Sequence, residues 1–416
     1  MERRIGVTPV VVSPVTNRFA AAERALRTAA PHELVDAVRR ILVERYAAVG
    51  VELLMADYGL TVLQPVCGPR GREPLSVSVY DSAAGRAFGA QEPYVEPAGG
   101  GRARAHLPVT VRGDRLGVLS VTLPEDGDRD TDTDADTDTD AEVSEVLGEL
   151  SEIAQVLGHE VVVAERATDL YLRARRRDRL TLAAEMQWQL LPARSGTGPG
   201  YALGAQLEPA YAVHGDNFDW SATADRLTLY VSNGMGEGTE AALLTNLAVN
   251  ALRNARRAGL PIADQAALAD QAVHAHYGGR SYLSVLMLDV ELATGRAQVV
   301  DAGSPRLLRL RAGTVERVGF EAQLPLGMFE ETDYAAQPFR VEPGDRLVFV
   351  SDGVHAVASP AGEAYGDAAL ARAISSTRLL PAAEVPRAVL RELTGHRGGR
   401  VPQDDALVVC LDWHGR

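Results

Sequence analysis

Four short segments of this 416-residue chain set an acidic residue or an asparagine against an apolar run, with glycine close by. They are Val213-His214-Gly215-Asp216-Asn217-Phe218-Asp219-Trp220, Leu229-Tyr230-Val231-Ser232-Asn233-Gly234-Met235-Gly236-Glu237-Gly238, Val348-Phe349-Val350-Ser351-Asp352-Gly353 and Asp404-Asp405-Ala406-Leu407-Val408-Val409. Carboxylates at strand ends, beside glycines that let the backbone approach closely, suit a hard dication such as Mg²⁺ or Mn²⁺. Cys67 begins no Cys-x5-Arg signature, and Cys410, although Arg416 follows at that spacing, lies inside an apolar strand-like run, so a thiol nucleophile is not indicated.

The elements that must hold these residues alternate irregularly from residue 201 onward. Strand-like runs at 203–207, 227–232, 282–290, 296–302, 306–311, 346–351 and 406–412 are separated by helical stretches at 239–258, 263–276, 367–376 and 384–394. Ala293-Thr294-Gly295 reads as a hairpin turn, which implies antiparallel pairing.

Taken in order, these segments resemble the SpoIIE-like branch of the PPM metal-dependent Ser/Thr protein phosphatases over roughly residues 181–413. The resemblance also rests on Glu185-Met186-Gln187-Trp188-Gln189-Leu190-Leu191-Pro192, Gly234-Met235-Gly236, Ala302-Gly303-Ser304-Pro305, Pro325-Leu326-Gly327 and Pro343-Gly344-Asp345. It implies an α-β-β-α sandwich, two packed antiparallel sheets flanked by helices. Two dications, Mn²⁺ or Mg²⁺, would sit about 3.5–4 Å apart, activate a water and neutralise the phosphoryl oxygens of an in-line displacement. Carried over residue by residue, the metal set is Asp216, Asn233, the carbonyl of Gly234, Asp352 and Asp404, with catalysis assigned to Asp216 and Asn233. Asp216 would orient the attacking water, and the Asn233 position would bridge both ions. Asp405 is the less favoured of the terminal pair, and Asp219 is a supporting candidate.

This chain departs from that pattern at Asn233, where similar phosphatases carry aspartate. Glu237 and Ser304 stand where histidine is usual, and His214 replaces a usual glycine. Glu237 is read as a solvent-facing start of a helix rather than a compensating carboxylate, and His214 as a packed loop residue. Two functions from different classes follow. One is a sensor-regulated protein serine/threonine phosphatase acting on a phosphoprotein of a partner-switching pathway, such as an anti-sigma-factor antagonist. The other is a catalytically inactive pseudophosphatase that works as a binding module.

The rest of the chain is read from pattern. Hydrophobic content of 46% with 24% charged residues is that of a soluble globular protein, long enough for two cores. A net charge of −14 argues against a nucleic-acid surface. No run is long and apolar enough to span a membrane, and a cytoplasmic location with both cysteines as buried free thiols is expected.

Residues 1–18 read as a flexible N-terminus and 19–165 as an α+β sensor domain for an unknown ligand. Its order of elements, ending in Leu116-Gly117-Val118-Leu119-Ser120-Val121 after a basic turn, resembles a GAF domain. Within it the Asp-Thr tract 125–142 reads as a disordered acidic insertion. Residues 166–192 read as a helical linker and 193–416 as the phosphatase-like domain. Apolar spacing over 143–191 fits a continuous linker helix or coiled coil, and equally a closing helix and a second one broken near Arg173–Arg179. The first alternative predicts a parallel homodimer.

Overall fold

The computed structural model describes residues 14–66, 76–124, 136–210, 213–303, 305–398, 400 and 402–415. Cys67, Ser304, residues 1–13 and residues 125–135 of the acidic tract lie outside the described residues. The chain forms two compact units, with the main division between Arg179 and Leu180.

The first unit is α+β. Helices α1 (Pro14–Thr28) and α2 (Leu34–Tyr46) precede strands β1 (Gly50–Ala56), β2 (Val62–Pro65) and β3 (Val77–Ser78). Helix α3 (Ala83–Ala90), β4 (Tyr94–Pro97), β5 (Arg102–Val111), β6 (Asp114–Pro124), α4 (Asp136–Ala164) and α5 (Leu170–Ala174) follow. The strands make one six-stranded sheet in the order β3-β2-β1-β6-β5-β4. Arg112 and Gly113 both take positive φ, as the tight hairpin between β5 and β6 requires. Leu26, Leu42, Leu53, Leu107, Leu150, Ile153, Leu157 and Tyr171 form the main core, which α1, α2, α4 and α5 share with the sheet. A second cluster puts Ala84 and Phe88 of α3 against Leu54, Leu63 and Val118.

Two expectations are corrected here. Helix α4 already begins at Asp136, inside the tract read as a loop. Of the two readings of 143–191, the continuous helix is not formed: a closing helix α4 and a separate α6 (Leu182–Leu190) are broken near Arg173–Arg179, with the short α5 before the break. The apolar stripe of α4 (Leu150, Ile153, Ala154, Leu157, Val161) is spent in the unit's own core, and Tyr171 of α5 is buried with its hydroxyl on the Pro31 carbonyl at 2.7 Å. The stripe that carried the homodimer expectation is therefore already covered.

The second unit continues after α6 with β7 (Ser195–Gly198), β8 (Tyr201–Glu208), β9 (Asn217–Ala222), β10 (Arg226–Gly234), α7 (Gly238–Arg257) and α8 (Ile262–Tyr277). Then come β11 (Leu283–Glu291), β12 (Arg296–Ala302), β13 (Arg306–Arg311), β14 (Thr314–Val318), β15 (Gln337–Arg340) and β16 (Arg346–Val350). Helices α9 (Asp352–His355), α10 (Gly366–Ser376) and α11 (Val385–Arg397) lead to β17 (Ala406–Trp413). One sheet runs β15-β12-β11-β10-β9 and the other β14-β13-β16-β17-β8-β7, with antiparallel pairing throughout.

Strand alternation explains the layers. Tyr230, Val285, Met287 and Val300 face α7 and α8, while Leu308, Val348, Val408 and Cys410 face α10 and α11. The alternate residues Leu229, Val231, Leu286, Leu288, Leu347, Phe349, Leu407 and Val409 are equally buried. Each sheet thus has two apolar faces, one under helices and one turned inward, as in an α-β-β-α sandwich. The hairpin expected at Ala293–Gly295 joins β11 to β12, with Val290 opposite Ala297.

Candidate metal centre

Strand ends from both sheets deliver the acidic residues to one place. In the first sheet, Asp216 immediately precedes β9, and Asn233 and Gly234 are the last residues of β10. In the second, Asp352 follows β16 as the first residue of α9, and Asp404 and Asp405 precede β17. The two sets meet directly: Asn233 Nδ2 donates to Asp352 Oδ1.

Asp405 organises the loop that carries Asp216. It is wholly buried and accepts from the backbone N–H of Ala210 (2.8 Å), His214 (2.9 Å), Gly215 (3.0 Å) and Asp216 (3.3 Å). Gln187 of α6 adds a fifth donor at 2.8 Å and also reaches the Asp216 carbonyl at 3.1 Å. A carboxylate so fully engaged holds a backbone loop in shape, and it is not turned toward a metal.

The glycines here are required by contact. A Cβ on Gly353 would lie 1.9 Å from the Asp405 carbonyl oxygen, so only glycine lets α9 start against the β17 entry. Gly215, at φ +90°, and Gly234 both back onto the Thr245 hydroxyl, which donates to the Gly215 carbonyl at 2.8 Å. Thr245 of α7 is thus a buried spacer under both metal-set loops.

Asp216 is wholly buried, and neither carboxylate oxygen has a hydrogen bond of ordinary geometry among the described residues. Burial pushes its carboxyl well above the usual carboxylate range, the Asp405, Asp352 and Asp404 charges add to this, and the nearby Ser351 hydroxyl opposes it. Asp404 is also raised, by burial and then by Asp352, with His214 pulling the other way. His214 Nδ1 lies 3.5 Å from Asp404 Oδ1. The Asn217 carboxamide beside Asp216 is buried and unpartnered as well.

Crowded, unsatisfied, oxygen-only donors of this kind fit a hard dication, which would relieve both the burial and the mutual repulsion. Among the described residues no three His, Cys, Asp or Glu side chains already stand at coordinating distance. Asn233 meets Asp352 through its amide hydrogen.

Other residues of the expected set lie elsewhere. Asp219 is ion-paired with Arg253 (2.7 Å) and Arg256 (2.8 Å) of α7, so it ties β9 to that helix. Glu237 is the exposed N-cap residue of α7 and makes no side-chain cap bond. Asp345 is buried under Arg311 (2.6 Å), and Gly327 N donates to Asp270 at 2.7 Å. Those two motifs are structural. Gln187, Thr245 and Asp405 are the positioning residues that spacing alone did not single out.

The raised carboxyls have a consequence for stability. Such a group holds its proton more tightly folded than unfolded. Its contribution is present below the ordinary value of 3.8 and is lost as pH rises through the raised value. In metal-free protein Asp216→Asn is therefore expected to raise the melting midpoint at neutral pH, by about 2–4 °C per kcal/mol relieved, and by less near pH 5. Thermal denaturation in chelator at both pH values checks this. An equal or opposite shift would show that Asp216 is not held under charge stress.

Comparison with known proteins gives distant relatives. Protein IcfG of Synechocystis sp. is 19% identical over 255 residues, covering 55% of this chain and 40% of its own length. A crystal structure of the RsbU and RsbW domains of a Mycobacterium tuberculosis protein aligns at 24% identity and TM-score 0.46, covering 52% of this chain and 61% of that one. The PP2C phosphatase domain with a regulatory fragment of SpoIIE from Bacillus subtilis aligns at 20% identity and TM-score 0.45, covering 52% and 65%. The SiaA-PP2C domain of Pseudomonas aeruginosa aligns at 20% identity and TM-score 0.45, covering 51% and 85%. The chain thus spans less than half of the curated relative and less than two thirds of the first structural one. Over residues 223–414, a span that includes Asn233, Asp352 and Asp404, the chain matches the family described as Stage II sporulation protein E (SpoIIE).

Proposed function

We propose that the chain is a metal-dependent protein serine/threonine phosphatase of the SpoIIE type, regulated by its N-terminal unit as a sensor. The observation that carries this reading is the buried, unpartnered carboxylate of Asp216 beside Asp352 and Asp404 at the meeting ends of two sheets. Asp216, Asp352, Asp404, the Gly234 carbonyl and the Asn233 carboxamide oxygen, after rotation of the amide, would hold Mn²⁺ or Mg²⁺. When bound, the dications would supply charge neutralisation at the phosphoryl oxygens and an activated water. The chain's own part is positional. Asp405 and Gln187 fix the Asp216 loop, Thr245 spaces it from β10, and the Asp352–Gly353 turn sets the opposite wall. The substrate would be a phosphoprotein of a partner-switching pathway, such as an anti-sigma-factor antagonist.

A second reading has its own observation. The Asn233 amide already meets Asp352, as a neutral donor replacing part of what a cation would do. That favours a pseudophosphatase that retains a phosphoprotein. Mixing the protein with a phosphoserine protein and Mn²⁺ separates the two. Released phosphate supports the enzyme, whereas a stable complex with the phosphate intact supports the binding module.

A further inference from the structure

Beside the carboxylates lies a cavity of about 360 Å³ that the metal set does not account for. Asp352 and Asp404 contribute to its lining, and so do Arg397, Arg400 and the Ala356–Val357 turn after α9. Arg397 ends α11 and is buried, its side chain only 8% exposed. One of its nitrogens, Nη2, is used by Glu208 at 2.7 Å, and its buried Nε has no hydrogen-bond partner among the described residues. The Nε is enclosed by protein, so Arg397 lines the cavity through the rest of its side chain. Arg400 is exposed and makes a single long contact, 3.3 Å to the Pro360 carbonyl.

We infer that this cavity receives the phosphate-monoester dianion of the substrate, with Arg397 and Arg400 as its anion-recognising residues. The inference rests on the phosphatase reading for the role of Asp352 and Asp404, and adds to it the residues that hold the phosphoryl group. The chemistry is that of guanidinium N–H forks toward tetrahedral oxyanions. Residue type alone says nothing in a chain whose basic residues are all arginine; placement does. The two guanidinium groups share a small cavity with two carboxylates that would attract dications, so a phosphate entering it meets cations from both sources. Without metal, the same carboxylates repel it, and binding is expected to depend on Mg²⁺. A volume of this size is sufficient for a phosphorylated side chain.

The test uses the full chain and inorganic phosphate, titrated calorimetrically in Mg²⁺. Arg400→Gln, at an exposed position, is expected to weaken phosphate about tenfold, and to raise KM for p-nitrophenyl phosphate by more than it lowers kcat. Arg397→Lys, which keeps a charge for Glu208 but loses the guanidinium fork, is expected to weaken it at least fivefold. Unchanged phosphate affinity in folded Arg400→Gln, or no phosphate binding by the parent protein, overturns the inference even if the ester is hydrolysed. Arginine-dependent binding by a protein that hydrolyses nothing upholds the anion site and removes the hydrolytic reading instead.

Discussion

Asn233→Asp is expected to raise Mn²⁺-dependent phosphatase activity at least tenfold. Two unit charges 4 Å apart interact by about 1 kcal/mol in bulk water, so two dications repel by about 4 kcal/mol there, and more in a drier site. A carboxylate between them offsets this repulsion, whereas the neutral Asn233 carboxamide offers one oxygen and no charge. Tenfold in rate needs only about 1.4 kcal/mol of that difference. The structure adds a second signature. The Asn233–Asp352 hydrogen bond would become a carboxylate–carboxylate contact, so metal-free Asn233→Asp should melt lower than the parent and recover more on adding Mn²⁺. Fresh protein is needed, because Asn233 precedes Gly234 and such pairs deamidate; mass spectrometry of the peptide guards against this. If the variant neither binds more metal nor hydrolyses faster, Asn233 is not at the bridging position.

Asp405→Ala is expected to be the most damaging single change to the fold of the site. It would strand the buried donors of Ala210, His214, Gly215, Asp216 and Gln187 together. Several orphaned donors at once cost about 3–5 kcal/mol, a melting drop on the order of 10 °C, and the Asp216 loop would lose its shape. The neighbouring Asp404→Ala should instead leave melting nearly unchanged, or raise it in chelator, since Asp404 is partly exposed and under repulsion. Equal melting losses in the two variants would contradict the division of labour between these adjacent aspartates.

In the sequence, the preference for Asp404 over Asp405 came from the resemblance alone. Asp404 and Asp405 are adjacent and chemically identical, and only the turn into β17 decides which one faces the buried Gly215 loop. The strands ending at Asn233 and Asp352 were legible, because Leu229–Val231 and Leu347–Val350 are unbroken apolar runs buried on both faces. Strand β9 was hidden by its own polar residues: Asn217 and Asp219 are buried, and Asp219 is neutralised by Arg253 and Arg256 from a helix over thirty residues away. Gln187 and Thr245 are single polar positions inside helices, and their partners are brought to them by the tertiary fold. The continuous helix over 143–191 failed for a related reason. Apolar spacing persists from α4 through α6, but Tyr171 turns inward onto Pro31, and Thr181 caps a new helix by accepting from Ala184 N.

Everything proposed for this chain requires that the carboxylate cluster be the dication site of a phosphatase. The most direct measurement is the initial rate of p-nitrophenyl phosphate hydrolysis as Mn²⁺ is titrated, run in parallel on the parent chain and on Asp352→Ala. A saturable Mn²⁺-dependent rate that chelator removes is expected in the parent, and none above background in Asp352→Ala at any metal concentration. A rate that ignores Mn²⁺, or one that survives in a folded Asp352→Ala protein, would contradict it.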